Sequence, residues 1–174
     1  SLITSEDLSQ KEIEDVKEKG TIAAVKYSVL KTDTKSNVMF DMERSVALDG
    51  NSGPYLLYTY ARCKSILRKA QSFKIQDTKY KIQDTLSQEE LAILRTIYKF
   101  PEVVQEAAEK YAPSLICNFV FEFAQLYNNF YNTHSVLQAD TEEQKRFRLL
   151  LTSAVSQLIH NSLSLLGIDT LEKI

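Results

Sequence analysis

The stretch Leu48-Asp49-Gly50-Asn51-Ser52-Gly53-Pro54-Tyr55-Leu56-Leu57-Tyr58-Thr59-Tyr60-Ala61-Arg62-Cys63 decides how the rest of the chain is read. Gly50 and Gly53, set among Asp49, Asn51 and Ser52, spell a tight loop, and Pro54 suits a first helical position because its missing N–H would go unpaired there anyway. The helix runs on to Ala70. At roughly 100° per residue, Leu56, Tyr60, Cys63, Leu67 and Ala70 share one stripe, which reads as core. Tyr55, Tyr58, Arg62, Ser65 and Lys69 form another stripe about 140° away, with Lys64 and Arg68 beside it and no acidic residue between Gly50 and Gln76. Rings that can stack on bases, next to cations that can meet phosphate, are what single-stranded nucleic acid requires of a surface. A solvated basic face with tyrosines at its margin is the structural reading of the same residues.

Around this helix stands a chain of 174 residues, 44% of them apolar, enough for one domain with a buried core or one domain with an appendage. The formal net charge is −2, so charge overall gives no sign of a nucleic-acid partner, and such a role must come from a local patch. Cys63 and Cys117 are far apart, lack Cys or His partners at metal-ligand spacing and fall in apolar helical patterns, which predicts reduced, buried thiols. No apolar run approaches the roughly 20 residues that span a bilayer, and no charged-then-apolar leader opens the chain. A soluble, cytoplasmic protein is the expectation. The start at Ser1 reads as a processed protein or a piece of a longer one.

Taken in order, Ser9 with Glu12 is a capping box, and Lys17, Lys19 and Gly20 close a short acidic helix. A second helix is expected from Thr21, carrying Ile22, Ala23, Val25 and Leu30, then a polar turn over 32–37 and an extended piece from Val38 to Asp41. Lys74-Ile75-Gln76-Asp77-Thr78 recurs as Lys81-Ile82-Gln83-Asp84-Thr85; one repeat falls short of the about three units a solenoid needs and reads as a linker able to form a weak hairpin. Ser87 and Glu90 open a helix burying Leu91, Leu94 and Ile97 or Tyr98, and Phe100-Pro101 ends it and starts another. From Pro113, Leu115, Phe119, Phe123, Leu126 and Phe130 share a face, with Ile116, Val120, Tyr127 and Tyr131 along its margin. The last helix starts near Thr141, buries Phe147, Leu151, Ala154, Leu158 and Leu165, and stops at Gly167. No segment after Asp41 reads as a strand, so the fold class is all-α, an antiparallel helical bundle.

The segments Ala23-Ala24-Val25-Lys26-Tyr27-Ser28, Phe40-Asp41, Asp49 to Arg62, Phe100-Pro101-Glu102-Val103-Val104, Asn129-Phe130-Tyr131 and Arg148-Leu149 to Leu165-Leu166-Gly167-Ile168, in that order, resemble the C-terminal part of arginyl-tRNA synthetase, a class I aminoacyl-tRNA synthetase. The resemblance implies a helical linker region over 1–47, following a catalytic domain, and an anticodon-binding helical bundle over 48–174. It implies arginine tRNA as partner, together with the upstream catalytic domain of the same polypeptide, and neither DNA nor membrane. The loop 48–53 and its helix would meet the anticodon stem and loop, with Tyr55, Tyr58, Arg62, Tyr131 and Ile174 at positions the family uses for this. Lys69, from the same stripe, completes the candidate tRNA-binding set. The tyrosines would stack on unpaired bases or bond their edges, and Arg62 would meet phosphate or a base edge.

The family's Asp-Ala-Leu-Arg motif has its counterpart in Phe147-Arg148-Leu149-Leu150, chiefly a helix-packing signature; Leu57 stands where the family often has glutamine, and Ile174 where methionine is frequent. The family binds ATP through a His-Ile-Gly-His-type signature and a Lys-Met-Ser-Lys-Ser-type loop, neither of which occurs here. His134 and His160 have no nucleophile or second ligand at a sensible spacing and read as structural. The chain is therefore expected to hold no cofactor, ATP belonging to the parent enzyme, and to form no arginyl-adenylate by itself. A helical module whose tyrosine-rich face contacts protein is the alternative of a different class.

Overall fold

The computed structural model describes residues 9–70 and 86–174, and the repeated Lys-Ile-Gln-Asp-Thr segment lies outside them. Six helices account for the described chain: α1 Gln10–Leu30, α2 Met42–Val46, α3 Gly53–Lys69, α4 Gln88–Glu109, α5 Pro113–Thr133 and α6 Glu142–Leu165. Among the described residues there is no strand, as the sequence reading expected. Helix α4 lies along α5, while α3 is held between α1 and α6.

Two starts follow the sequence closely. Ser9 with Glu12 and Ser87 with Glu90 form reciprocal capping boxes at α1 and α4, each satisfying donors that a helix N-terminus leaves unpaired. Ser52 caps α3 through its hydroxyl to Tyr55 N at 3.1 Å, so Gly53 rather than Pro54 opens that helix, and the proline still falls in the first turn. At α6, Gly167 adopts φ +67 just past the helix, and the Ile168 N–H reaches back to the Leu163 carbonyl at 2.8 Å. This is the left-handed stop the sequence predicted there.

The structure corrects several expectations. Gly20 does not end a helix: α1 continues through it as one element, because a lone glycine is a weak interruption when Ala23, Ala24 and Tyr27 beyond it are buried. After the piece from Val38 to Asp41, where Asp41 is extended, comes α2, a short helix capped by Asp41 that the sequence reading missed. Pro101 lies inside α4; it removes one backbone bond on an exposed face, while buried Ile93 and Ala107 on either side keep the helix seated. The same helix turns Ile97 inward and leaves Tyr98 82% exposed. In α5 the buried line is Ile116, Val120, Phe123, Tyr127 and Phe130, with Leu115, Phe119 and Leu126 only half-buried, so the core stripe is rotated from the expected one. In α6 Leu165 is exposed, and Val155, Ile159 and Leu163 join Leu151 and Leu158 in the core.

One close approach fixes where the central helix sits. A Cβ built on Gly53 would fall 2.3 Å from the Ala23 carbonyl oxygen, so only glycine lets the start of α3 lie against α1. The Tyr27 hydroxyl, buried in the same place, stands 2.6 Å from Asn51 Oδ1 and 2.9 Å from the Cys117 carbonyl, and Lys31 donates to the Asn51 carbonyl at 2.8 Å. The loop ahead of α3 is thereby tied to α1 and α5 before the helix begins. Among the described residues no helix is long and apolar enough to cross a membrane.

Candidate nucleic-acid interface

Because Leu56, Tyr60 and Cys63 anchor one side of α3 in the core, the stripe bearing Tyr58, Arg62, Ser65 and Lys69 is turned outward. It forms one wall of an open cavity of about 570 Å³. Tyr131, late in α5, closes a second side, and Lys173 and Ile174 of the C-terminal tail close a third. Of the candidate residues named from sequence, Tyr58, Arg62, Lys69, Tyr131 and Ile174 thus meet around one space; Tyr55 does not line it.

Arg62 is the centre of the arrangement. Its guanidinium carbon lies 4.7 Å from the Tyr58 ring centroid and 4.9 Å from that of Tyr131, within cation–π range of both. Nη2 donates to the Tyr58 hydroxyl at 3.1 Å and Nη1 to Asn128 Oδ1 at 2.6 Å. Behind them, Tyr55 packs edge-on against Phe121 with ring centroids 5.7 Å apart, and its hydroxyl accepts from Asn128 Nδ2 at 2.8 Å. Tyr55 is therefore half-buried under the site.

The tail is clamped by charge. Glu172 Oε1 meets Lys64 Nζ at 2.8 Å, and its carbonyl accepts from Arg68 Nη1 at 2.8 Å. The hydrogen bond between them raises the Lys64 ammonium and lowers the Glu172 carboxyl from their ordinary values. Leu171 is buried just before this clamp, and Ile174 packs on the edge of the core. Arg68 and Lys173 add cations to the cavity wall beyond those read as candidates from sequence, and Lys69 has no ion-pair partner among the described residues.

Asn128 belongs to the site although no sequence reading singled it out, whereas Arg68 was read beside the α3 stripe without being named a candidate. Asn128 was findable as a polar residue one turn before Tyr131 on a mostly apolar helix, but its pairing with α3 is a tertiary fact.

Neither histidine faces the cavity. His134 Nε2 lies 3.1 Å from Glu89 Oε2 with its ring on Phe130, and His160 Nδ1 lies 3.0 Å from Thr170 Oγ1. Both thiols are buried, and burial pushes each up to about 12. Among the described residues no group of His, Cys, Asp and Glu could hold a metal ion. Rings, guanidinium and lysines about an open cavity are equipped to bind a flat, anionic ligand.

Comparison with known proteins bears on the same region. The family described as DALR anticodon binding domain matches residues 56–174. The arginine–tRNA ligase of Flavobacterium psychrophilum is 40% identical over 175 residues, covering 97% of this chain and 28% of that protein. That of Clostridium botulinum is 36% identical over 99% of this chain and 30% of its own length. The solved arginyl-tRNA synthetase of Thermus thermophilus superposes with a TM-score of 0.86 at 28% identity, over 97% of this chain and 28% of that one. The chain therefore spans under a third of the length of these three relatives.

Proposed function

Since the chain belongs to the DALR anticodon binding domain family, we propose that it is the tRNA-binding C-terminal part of an arginine-tRNA ligase. It recognises the anticodon stem and loop of arginine tRNA, and the remainder of the enzyme, using ATP, attaches arginine. The observation that carries this reading is the Arg62 guanidinium set against the rings of Tyr58 and Tyr131 at the mouth of one cavity, with Arg68, Lys69 and Lys173 along its walls. Bases unstacked from a loop find aromatic faces there, and the phosphates between them find cations. Base readout is assigned to Tyr58, Tyr131 and Arg62, and backbone contact to Lys69. Ile174 supplies an apolar wall. The work of such a protein places it in the cytoplasm with the translation apparatus.

The test is binding of arginine tRNA against an unrelated tRNA at two salt concentrations. Each phosphate neutralised adds to the steepness with which affinity falls as salt rises, so the cognate RNA should bind more tightly and with a marked salt slope. Failure to bind either RNA at low salt would overturn the reading in favour of a protein-binding helical module.

A further inference from the structure

We propose that Asn128 is the positioning residue of this site, holding the Arg62 guanidinium where an RNA base edge or phosphate meets it; this rests on the RNA-binding reading above. No motif names Asn128, and it does not line the cavity. Its side chain instead ties α5 to three residues of α3, Arg62, Tyr55 and Thr59, from behind the site.

The orientation of the carboxamide follows from its partners. Arg62 has only donors, so the atom 2.6 Å from Nη1 must be the carbonyl oxygen, and the amide nitrogen must then face the other way. There it finds the Tyr55 hydroxyl at 2.8 Å and Thr59 Oγ1 at 3.1 Å. Both can accept. Thr59 is fully buried and spends its own proton on the Tyr55 carbonyl at 3.0 Å, which leaves its oxygen lone pairs for Asn128. Tyr55 is fixed by its edge-on contact with Phe121. The chain of support therefore runs from buried Thr59 and packed Tyr55, through Asn128, to Arg62.

What this support does to Arg62 is chemical as well as geometric. A guanidinium has five N–H donors; one is taken by Asn128 and one by Tyr58, which leaves about three on a side chain that lines the cavity. A free arginine must lose much of its rotamer entropy to make a bidentate contact, whereas one already held between two rings and an amide has lost it on folding. Removing Asn128 Oδ1 should leave Arg62 in contact with the rings but free to swing. The cost falls on binding, while the fold keeps its core.

The experiment has an RNA-free arm and an RNA arm. In the free protein, nitrogen–proton spectra of the arginine side chains report whether the Arg62 guanidinium is held. The native chain and Asn128→Asp, which keeps an acceptor, should show a resolved Arg62 signal; Asn128→Leu and Asn128→Ala should lose it to the averaged position of free arginines. With an arginine-tRNA anticodon stem-loop, Asn128→Leu should weaken binding about tenfold, the loss of one charge-assisted hydrogen bond, when Arg62 is present. In an Arg62→Ala background the same change should cost less than about twofold, because the two residues act as one unit. Asn128→Ala replaces Asn128→Leu in the cycle if the latter does not fold. An unchanged Arg62 signal, or an equal loss in both backgrounds, overturns the assignment. If the Arg62 signal responds as expected but the native chain binds no RNA, it is the RNA-binding reading that fails, and the functional role of Asn128 fails with it.

Discussion

Arg148 Nε on α6 donates to Glu90 Oε1 on α4 at 2.9 Å, with the two side chains only 8% and 2% exposed. The second oxygen of Glu90 accepts the Ser87 backbone N–H at 2.8 Å, and Arg148 Nη1 donates to the Ser135 carbonyl at 2.8 Å. One buried pair thus closes a helix cap, joins two helices and holds the turn after α5. Glu90→Leu leaves the guanidinium buried without its counter-charge and should destabilise by about 3–5 kcal/mol, read from urea unfolding. Pairing Glu90→Leu with Arg148→Met should recover a large part of that loss, since removing both charges removes the desolvation cost as well.

A second prediction follows from the rotated stripe of α5. Phe123 is fully buried while Phe119 is half-buried, stacked between Phe100 and Phe123. Phe123→Ala should cost about 3–5 kcal/mol, and Phe119→Ala distinctly less, because its site opens to solvent and leaves a smaller enclosed void. Equal losses in denaturant melts would return the centre of the core to the Leu115, Phe119 and Leu126 line.

These cases show what the sequence could and could not disclose. The capping boxes at Ser9 and Ser87 and the stop at Gly167 were legible because each is settled by atoms within about one helical turn. Gly20 and Pro101 misled because a local breaker only biases the backbone, and burial beyond Gly20, and on both sides of Pro101, outweighs it. Periodicity gives a stripe of roughly 100° without its midpoint, and the neighbouring helices decide whether Phe119 or Val120 faces inward. The outward stripe of α3 was readable for the same reason its core stripe was. That Tyr55 lies under Arg62, with Asn128 between them, depends on how α5 crosses α3, and no spacing in either helix encodes that.

Alkaline pH should weaken the fold. Burial raises Cys63 and Cys117 from 9.0 to about 12, and raises the hydroxyls of Tyr27 and Tyr127 as well. Above the ordinary thiol value the unfolded chain releases protons that the folded chain keeps. Stability is therefore complete below about pH 9 and falls as pH climbs toward about 12. Urea midpoints should drop between about pH 8 and about pH 11, and less so in the Cys63→Ala, Cys117→Ala double variant. A drop of the same size in both proteins would remove the thiols from the explanation.

For the cavity wall, Tyr58→Ala and Tyr131→Ala should each weaken binding of the arginine-tRNA stem-loop by about 1–3 kcal/mol, the usual worth of a stacked base. Arg62→Ala should weaken it too and flatten the salt dependence. Their side chains lie at the solvent edge of the bundle, with Tyr131 39% exposed, so thermal melts should change little. A Tyr58→Ala chain that unfolds, yet binds normally per folded molecule, would place that ring in the core and not in the site.

The tail offers the sharpest separation of stability from binding, because its anchor and its cavity wall are different residues. Leu171 is buried and Glu172 is held by Lys64 and Arg68, so the anchor is complete at position 172. Lys173 and Ile174 lie beyond it and line the cavity. Leu171→Ala should therefore cost stability, by about 2–5 kcal/mol for a buried leucine. Deleting Lys173 and Ile174, or adding a bulky group after Ile174, should instead reduce binding of the arginine-tRNA stem-loop while the melting temperature stays nearly unchanged. Glu172→Gln keeps the carbonyl that Arg68 holds and loses the ion pair, which on so exposed a carboxylate contributes little to folding, so the melting temperature should hold. Its effect should appear in binding alone, through a tail that wanders from the cavity. If truncated, extended and native chains bind the stem-loop equally well, the tail is only a cover for the end of the bundle, and Ile174 plays no part in recognition.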